Sequence, residues 1–330
     1  MHAGRHYTIK EVLLWTRRET LVFALIGLVP CLLTYYGIDV GFLPWPPIAV
    51  LGVAVAFVTG FKSNAAYGRL WEARQVWGAI VNASRAWAVS ARDFVEVGPE
   101  HPSQRCFRLR HIAWLTALRH QLREPRAWET SRFRYAEEYR ERTFAIPERQ
   151  RSLEEELRGL LEPDELAYVM SKKNRAAVLL SRQSAELRAC VEAGQLSEHR
   201  HVELMRLIAN LYDQQGKCER IKNFPYPRQF STLNLFFVWM FISLLPFAMA
   251  TEIRRLGEPY MWLTAPITLL VAWVFHTMDK IGEASENPFE GGPNDVPITA
   301  MSRAIEIDLR DMADEADLPD AHKPVHNILM

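Results

Sequence analysis

Four nearly uncharged apolar segments stand in two close pairs along a chain of 330 residues. They cover residues 21–36, 42–61, 233–250 and 260–278. A helix needs about 20 apolar residues to cross the hydrocarbon core of a bilayer. Each segment meets or approaches that length, so the pattern predicts four transmembrane helices. The alternative is a soluble helical protein that buries the same four segments in its core.

The long polar region between the two pairs, residues 62–232, is predicted to be helical as well. Leu70, Trp77 and Ile80 recur at the spacing of one helix face, and no long stretch alternates apolar and polar residues as a half-buried strand does. No proline separates the second apolar segment from residues 62–89, so one continuous helix is expected through both.

Two further stretches complete the predicted fold. Residues 147–165 are highly charged and open on a proline, which predicts a single charged helix. Residues 281–330 form a C-terminal segment that begins with a turn rich in Gly and Pro and continues as an acidic helix. The sequence thus predicts an all-α membrane protein in which residues 1–330 form a single unit.

The overall charge of the chain is balanced, with 39 basic and 39 acidic side chains. This balance indicates no particular partner, and we predict no binding to nucleic acid. The distribution is uneven, however. Residues 62–228 carry 29 basic and 22 acidic side chains, whereas residues 281–330 carry 3 basic and 11 acidic ones. We therefore expect the acidic C-terminal helix to dock on the basic region.

Basic residues beside the short loops predict the orientation in the membrane, because cytoplasmic loops are enriched in Lys and Arg. Arg18 precedes the first segment, Lys62 follows the second, and Lys280 follows the fourth. Arg254 and Arg255, between the third and fourth segments, are the exception. The majority predicts that both termini and the long polar region lie in the cytoplasm.

The sequence contains none of the motifs that would predict an enzyme. A glycine-rich nucleotide-binding motif, GxSxG and HExxH are all absent. His111 and His120 are nine residues apart, too far for one metal site, and His199 and His201 point to different helix faces. We interpret these histidines as solvated surface residues. No catalytic residue, metal site or cofactor is predicted.

Three stretches of the chain resemble the bestrophin family of ion channels, in particular its bacterial branch. They are GFKSNAAYGRLWEARQVWG (60–78), KCERIKNFPYP (217–227), and ENPFEGGPNDVPI followed by AIEIDL (286–298 and 304–309). The resemblance implies a homopentamer of helical subunits around an axial pore in the bacterial inner membrane. It also implies a passive ion channel. The family is labelled for chloride, but close bacterial members are similar to channels for monovalent cations.

The residues that match the neck of that pore are Val53, Phe57 and Phe61. They are four residues apart and therefore share one helix face. The chain with its four spans supplies only one pore-facing stripe, so several copies must surround an axis to form a conduit. A ring of these side chains would control ion flow by steric closure and dewetting. The alternative is that the three side chains pack against lipid or another helix.

The turn after the fourth segment indicates whether calcium could bind there and gate the channel. The resemblance places it where animal bestrophins carry an acidic run that binds calcium. Here the residues are Glu290, Gly291, Gly292, Pro293, Asn294 and Asp295. Calcium prefers six to eight oxygen ligands, usually with several carboxylates. Two acids around a Gly-Gly-Pro turn make a poor cage, so we predict a channel that calcium does not gate.

The resemblance also assigns a second constriction, the cytosolic aperture, to His199. The family usually has an apolar residue there, so this histidine is a departure. Five imidazoles around the axis would gain positive charge in acid. The alternative is that His199 is an ordinary solvated helix residue.

Two functions from different classes follow from these patterns. The first is a pentameric passive ion channel whose partners are its own copies, permeant small ions and membrane lipids. The second is a membrane-anchored cytosolic scaffold or sensor without ion flux. An ion-flux measurement on purified protein in liposomes separates them.

Overall fold

The computed structural model describes residues 1–98, 101–130 and 134–330, with the backbone alone at 134–136. Apart from two isolated bridges, the regular structure in these ranges is helical, which confirms the predicted all-α class. The α-helices are Ile9–Tyr35 (α1), Trp45–Phe94 (α2), Pro102–Arg123 (α3), Arg134–Thr143 (α4), Pro147–Gln150 (α5), Leu153–Leu157 (α6), Pro163–Met170 (α7), Arg175–Glu192 (α8), Glu198–Asn223 (α9), Arg228–Arg254 (α10), Thr264–Ala284 (α11) and Ile298–Asp311 (α12). A 3-10 helix, Glu258–Leu263, leads into α11.

Four helical stretches are long and apolar enough to cross a membrane, and they overlap the four predicted segments. They are α1, α2, α10 and the combined stretch Glu258–Ala284. Each extends beyond its predicted segment at one end or both, because hydropathy marks only the apolar part while helical hydrogen bonding continues into polar residues. Two ends fall short of the prediction: α1 ends at Tyr35 instead of residue 36, and α2 begins at Trp45 instead of residue 42. The N-terminus of α1 illustrates the extension. It begins at Ile9, where Thr8 and Glu11 satisfy each other's backbone N–H groups in a capping box.

α2 is a single helix of 50 residues, as the absence of a proline between the second apolar segment and residues 62–89 predicted. It opens with Trp45, Pro46 and Pro47. Proline suits this position because the first N–H groups of a helix have no partner within the helix. The helix then continues without interruption from the second apolar segment into the polar region.

The chain divides into two compact units. We call Arg5–Gly68 with Pro225–Glu286 the membrane unit, since it holds α1, the first half of α2, α10 and α11. The other, the insert unit, comprises Met1–Gly4, Arg69–Phe224 and Asn287–Met330. The assignment of residues 1–330 to one channel unit stays a prediction.

The helices of the membrane unit approach one another closely at two glycines. A Cβ added to Gly27 of α1 would lie 3.0 Å from the backbone oxygen of Ala265, at the start of α11. A Cβ added to Gly52 of α2 would lie 2.9 Å from the Phe241 ring of α10. Small residues allow such approaches between membrane helices. Phe241 belongs to the apolar core of this unit with, among others, Phe23, Val55, Val238 and Ala272.

The insert unit has an aromatic core around α3, which packs against α8, α9 and α12. Trp77 and Trp87 from α2 and Trp114 from α3 are almost completely buried in it. Aromatic side chains of this size contribute large apolar areas to a core.

The prediction of a single charged helix at residues 147–165 is wrong. It is divided among α5, α6 and the start of α7 and is not one helix. Ser152 caps a new helix, because its hydroxyl accepts from Glu155 N while the Glu155 carboxylate accepts from Ser152 N. Pro163 then opens α7. The helix boundaries in this stretch are therefore set by local capping residues and not by the pattern of charges.

The acidic C-terminal helix docks on basic side chains within the insert unit, as the charge asymmetry predicted. α12 packs against α3. The Arg85 guanidinium lies 2.7 Å from the Asp308 carboxylate. Just after α12, Glu315 lies 2.7 Å from Arg108.

The interpretation of His111 as a solvated residue is wrong. Its side chain is fully buried in the insert unit. His111 Nε2 lies 2.9 Å from Ser84 Oγ, and its ring stacks on Trp87 with an interplanar angle of 16°. Burial disfavours the charged imidazolium and lowers the pKa of His111 to about 3. His120, on the same helix, is half-buried and within 3.2 Å of Glu156 Oε1.

Candidate functional site

The strongest candidate is the stripe of Val53, Phe57 and Phe61 on α2, which we call the neck stripe. In the single chain these side chains are 72%, 66% and 58% exposed. The Phe57 and Phe61 rings meet edge to face, with centroids 4.5 Å apart, which is a favourable geometry for aromatic pairs. The structure thus brings the three predicted residues together on one open, apolar helix face.

The face of α2 opposite the neck stripe is buried against other helices of the membrane unit. Val55, Thr59 and Lys62 are buried in the membrane unit, and Gly52 abuts the ring of Phe241 on α10. An α-helix turns by about 100° per residue, so these positions lie roughly across the helix axis from the neck stripe. The buried side therefore sets which way the neck stripe points.

His199 belongs to the insert unit. It is the second residue of α9 and is exposed to solvent. Val202 is three residues further along the same helix face and is 49% exposed, whereas His201 is half-buried. The aperture role of His199 stays a prediction, and Val202 is an exposed apolar residue on the same face.

The two carboxylates of the turn after α11 already have protein partners. Glu290 accepts hydrogen bonds from the backbone N–H and the hydroxyl of Thr130. Asp295 accepts from the backbone N–H groups of Gly291 and Gly292, at 2.7 and 2.9 Å. Burial raises the pKa of Asp295, although Arg123 opposes the shift. Across the described part of the chain, no group of three or more His, Cys, Asp or Glu side chains is placed to hold a metal ion.

Comparison with known proteins decides the family. The profile described as "Bacterial/Fungal Bestrophin protein" matches residues 8–311. The chain belongs to the bestrophin family. The resemblance seen in the motifs is thereby confirmed.

Curated relatives of this bestrophin carry the name of an anion channel. The "Voltage-dependent anion channel-forming protein YneE" of Escherichia coli strain K12 is 30% identical over 274 residues, covering 83% of this chain and 78% of the relative. A protein of the same description from Ralstonia nicotianae is 27% identical over 289 residues, covering 83% and 79%. A crystal structure of a bacterial bestrophin homologue from Klebsiella pneumoniae superposes with a TM-score of 0.74 at 24% identity, covering 93% of this chain and 99% of that one. It supports the fold.

Sequence reasoning missed a buried polar network in the membrane unit of this bestrophin. Lys62 Nζ donates to Asp279 Oδ1 at 2.6 Å, and Asn234 Nδ2 donates to the same oxygen at 2.7 Å. Thr59 Oγ1 in turn donates to Asn234 Oδ1 at 3.1 Å. The charge of Lys62 was interpreted only as a marker of orientation. Its place beside apolar residues was the available signal, because ionisable residues in spans are usually paired and functional.

Proposed function

We propose that this chain is one subunit of a homopentameric passive ion channel that is gated at a ring of neck stripes. The supporting observation is that three bulky apolar side chains are each more than half exposed on a helix able to span a membrane. One stripe cannot enclose a conduit, whereas copies around an axis turn five stripes into a narrow apolar ring. Such a constriction gates by steric closure and dewetting. The number five comes from the family resemblance.

We propose that the channel lies in the bacterial inner membrane with both termini in the cytoplasm. The basic residues flanking the spans support this orientation. Exposed apolar side chains on α1, such as Leu21 and Leu25, supply a surface for membrane lipids. The permeant species are small ions, and the names of the relatives favour anions.

The sign of the permeant ion needs a direct measurement, because the neck stripe carries no formal charge. Purified protein in a planar bilayer with a chloride salt gradient is expected to give a reversal potential between zero and the anion equilibrium value. A value near the cation equilibrium potential would assign monovalent cations. Absence of any flux in liposomes would instead favour the membrane-anchored scaffold or sensor.

Calcium is expected to leave the currents unchanged. Both oxygens of Glu290 and Oδ2 of Asp295 already accept hydrogen bonds from Thr130 and from the turn itself, and calcium binding through these three atoms would have to break these bonds. Currents recorded in about 10 µM free calcium, within the range of calcium sensors, should match those in a chelator. Reversible activation by calcium that is lost in Asp295→Asn would contradict this proposal.

Acid is expected to shift the reversal potential toward the anion equilibrium value if His199 lines the aperture. Histidine changes charge within the range of about pH 5 to 8, so five rings would become positive and favour anions. The measurement compares reversal potentials at about pH 5.5 and pH 8 in a salt gradient.

Two variants make this test specific. The acid shift should disappear in His199→Ala and persist in His201→Ala, the matched control two residues away. Identical acid responses in wild type and His199→Ala would remove His199 from the permeation path. A flux change in Val202→Ala would then assign the aperture to Val202.

A further inference from the structure

A fully buried ionic network ties α2 to two other helices of the membrane unit. We call Thr59, Lys62, Asn234 and Asp279 the α2 anchor. The side chains of Lys62 and Asp279 are only 4% and 3% exposed, and Asn234 and Thr59 are likewise buried. Thr59 and Lys62 come from α2, Asn234 from α10 and Asp279 from α11. Asp279 Oδ1 accepts from both Lys62 and Asn234, so one atom joins three helices.

The α2 anchor lies behind the neck stripe. Thr59 stands between Phe57 and Phe61 in sequence, and Lys62 directly follows Phe61. At about 100° per residue, Thr59 and Lys62 point away from the two rings. Because α2 is one continuous helix, any rotation that moves the anchor also moves the neck stripe.

Such a network is poorly explained by stability alone. Replacing both members of a buried ion pair by apolar side chains often leaves the free energy of unfolding unchanged. Replacing one member alone lowers it, because the other charge stays buried without a partner. A satisfied polar network, in contrast, admits few geometries, because its hydrogen bonds require particular distances and directions.

We propose that the α2 anchor is a set of positioning residues that fixes the rotation of α2, so that the neck stripe faces the pore axis. This inference rests on the proposed channel function. The network lies wholly within a single chain, so it sets the direction of the stripe within each subunit.

The test uses single and double variants of the full-length protein. Lys62→Met and Asp279→Leu each leave one buried charge and should lower the melting temperature in detergent by about 10 °C. Lys62→Met should lower the melting temperature more than Asp279→Leu does. Lys62 attracts both Asp279 and Glu283, and without it these two acids repel each other. The double variant removes both charges and should recover part of the loss, although the buried Asn234 Nδ2 then lacks its acceptor.

The deciding readouts are the flux and the rotation of α2 in the double variant. We expect ion flux in liposomes to differ at least threefold from wild type despite the partly recovered melting temperature. Electron cryomicroscopy should show α2 rotated relative to α10 and α11. A double variant with wild-type flux and wild-type rotation would overturn the inference.

A matched control lies on a different pair of helices. Glu19 of α1 and Lys280 of α11 also form an ion pair, at 2.8 Å, in which Lys280 is 3% and Glu19 is 19% exposed. The double variant Glu19→Leu/Lys280→Met should leave the rotation of α2 and the flux within twofold of wild type. An equal change of flux and rotation in this control would reduce the α2 anchor to a general structural role and overturn the inference.

Two further measures keep the outcome decisive. If the double variant of the anchor fails to fold, Thr59→Val removes one hydrogen bond and preserves the side-chain shape, and its α2 rotation and flux decide in the same way. If wild-type protein shows no ion flux, the proposed function fails, and the rotation of α2 alone decides the inference.

Discussion

Alanine at Val53, Phe57 and Phe61 together is expected to raise ion flux on the order of tenfold, since a wider ring with less apolar bulk fills with water more readily. The three side chains are mostly exposed in the single chain, so their truncation removes little of the subunit's own core. Single-channel recording in planar bilayers measures the effect as a rise in conductance or open probability.

α1 supplies a matched control for the neck. Leu21, Leu25 and Val29 have the same four-residue spacing and are also exposed apolar residues. Alanine at these three positions should leave single-channel currents close to wild type. If the α2 variant shows unchanged currents, or if the α1 variant changes them equally, the neck stripe is not the constriction.

Acid is expected to destabilise the fold through His111. The pKa of this buried imidazole is lowered to about 3, whereas an unfolded histidine has a pKa of about 6.5. Between these values the unfolded chain binds a proton that the folded chain does not. Stability is therefore fully present above about pH 6.5 and falls by about 1.4 kcal/mol for each pH unit below it. At pH 5 the loss is about 2 kcal/mol.

The measurement compares thermal unfolding in detergent at pH 7.5 and pH 5 for wild type and His111→Leu. The variant loses the contact with Ser84 and starts from a lower stability, but the pH-dependent loss should shrink by about 2 kcal/mol. His120→Leu is the control, because His120 is only half-buried and beside Glu156. Equal acid sensitivity in wild type and His111→Leu would show that His111 is not the responsible group.

Local spacing was sufficient for the spans and the neck stripe. A four-residue interval places Val53, Phe57 and Phe61 on one face of any α-helix, whatever that helix packs against. The start of α2 at Trp45 and its continuity to Phe94 likewise follow from where prolines occur. The aperture role of His199 stays a prediction, because it depends on copies of the chain around an axis.

The sequence by itself determined the helical class, the four membrane-length segments and the alignment of Val53, Phe57 and Phe61 on one helix face, since each depends on residues within a few turns of one another. Only the tertiary structure decided which polar residues are buried and with whom. His111 meets Ser84 across 27 residues, and Lys62 meets Asp279 across 217. The sequence around each of these side chains is compatible both with a solvated surface position and with a buried contact. The choice is made when distant helices pack and remove water from one face, because a polar group without water needs a protein partner.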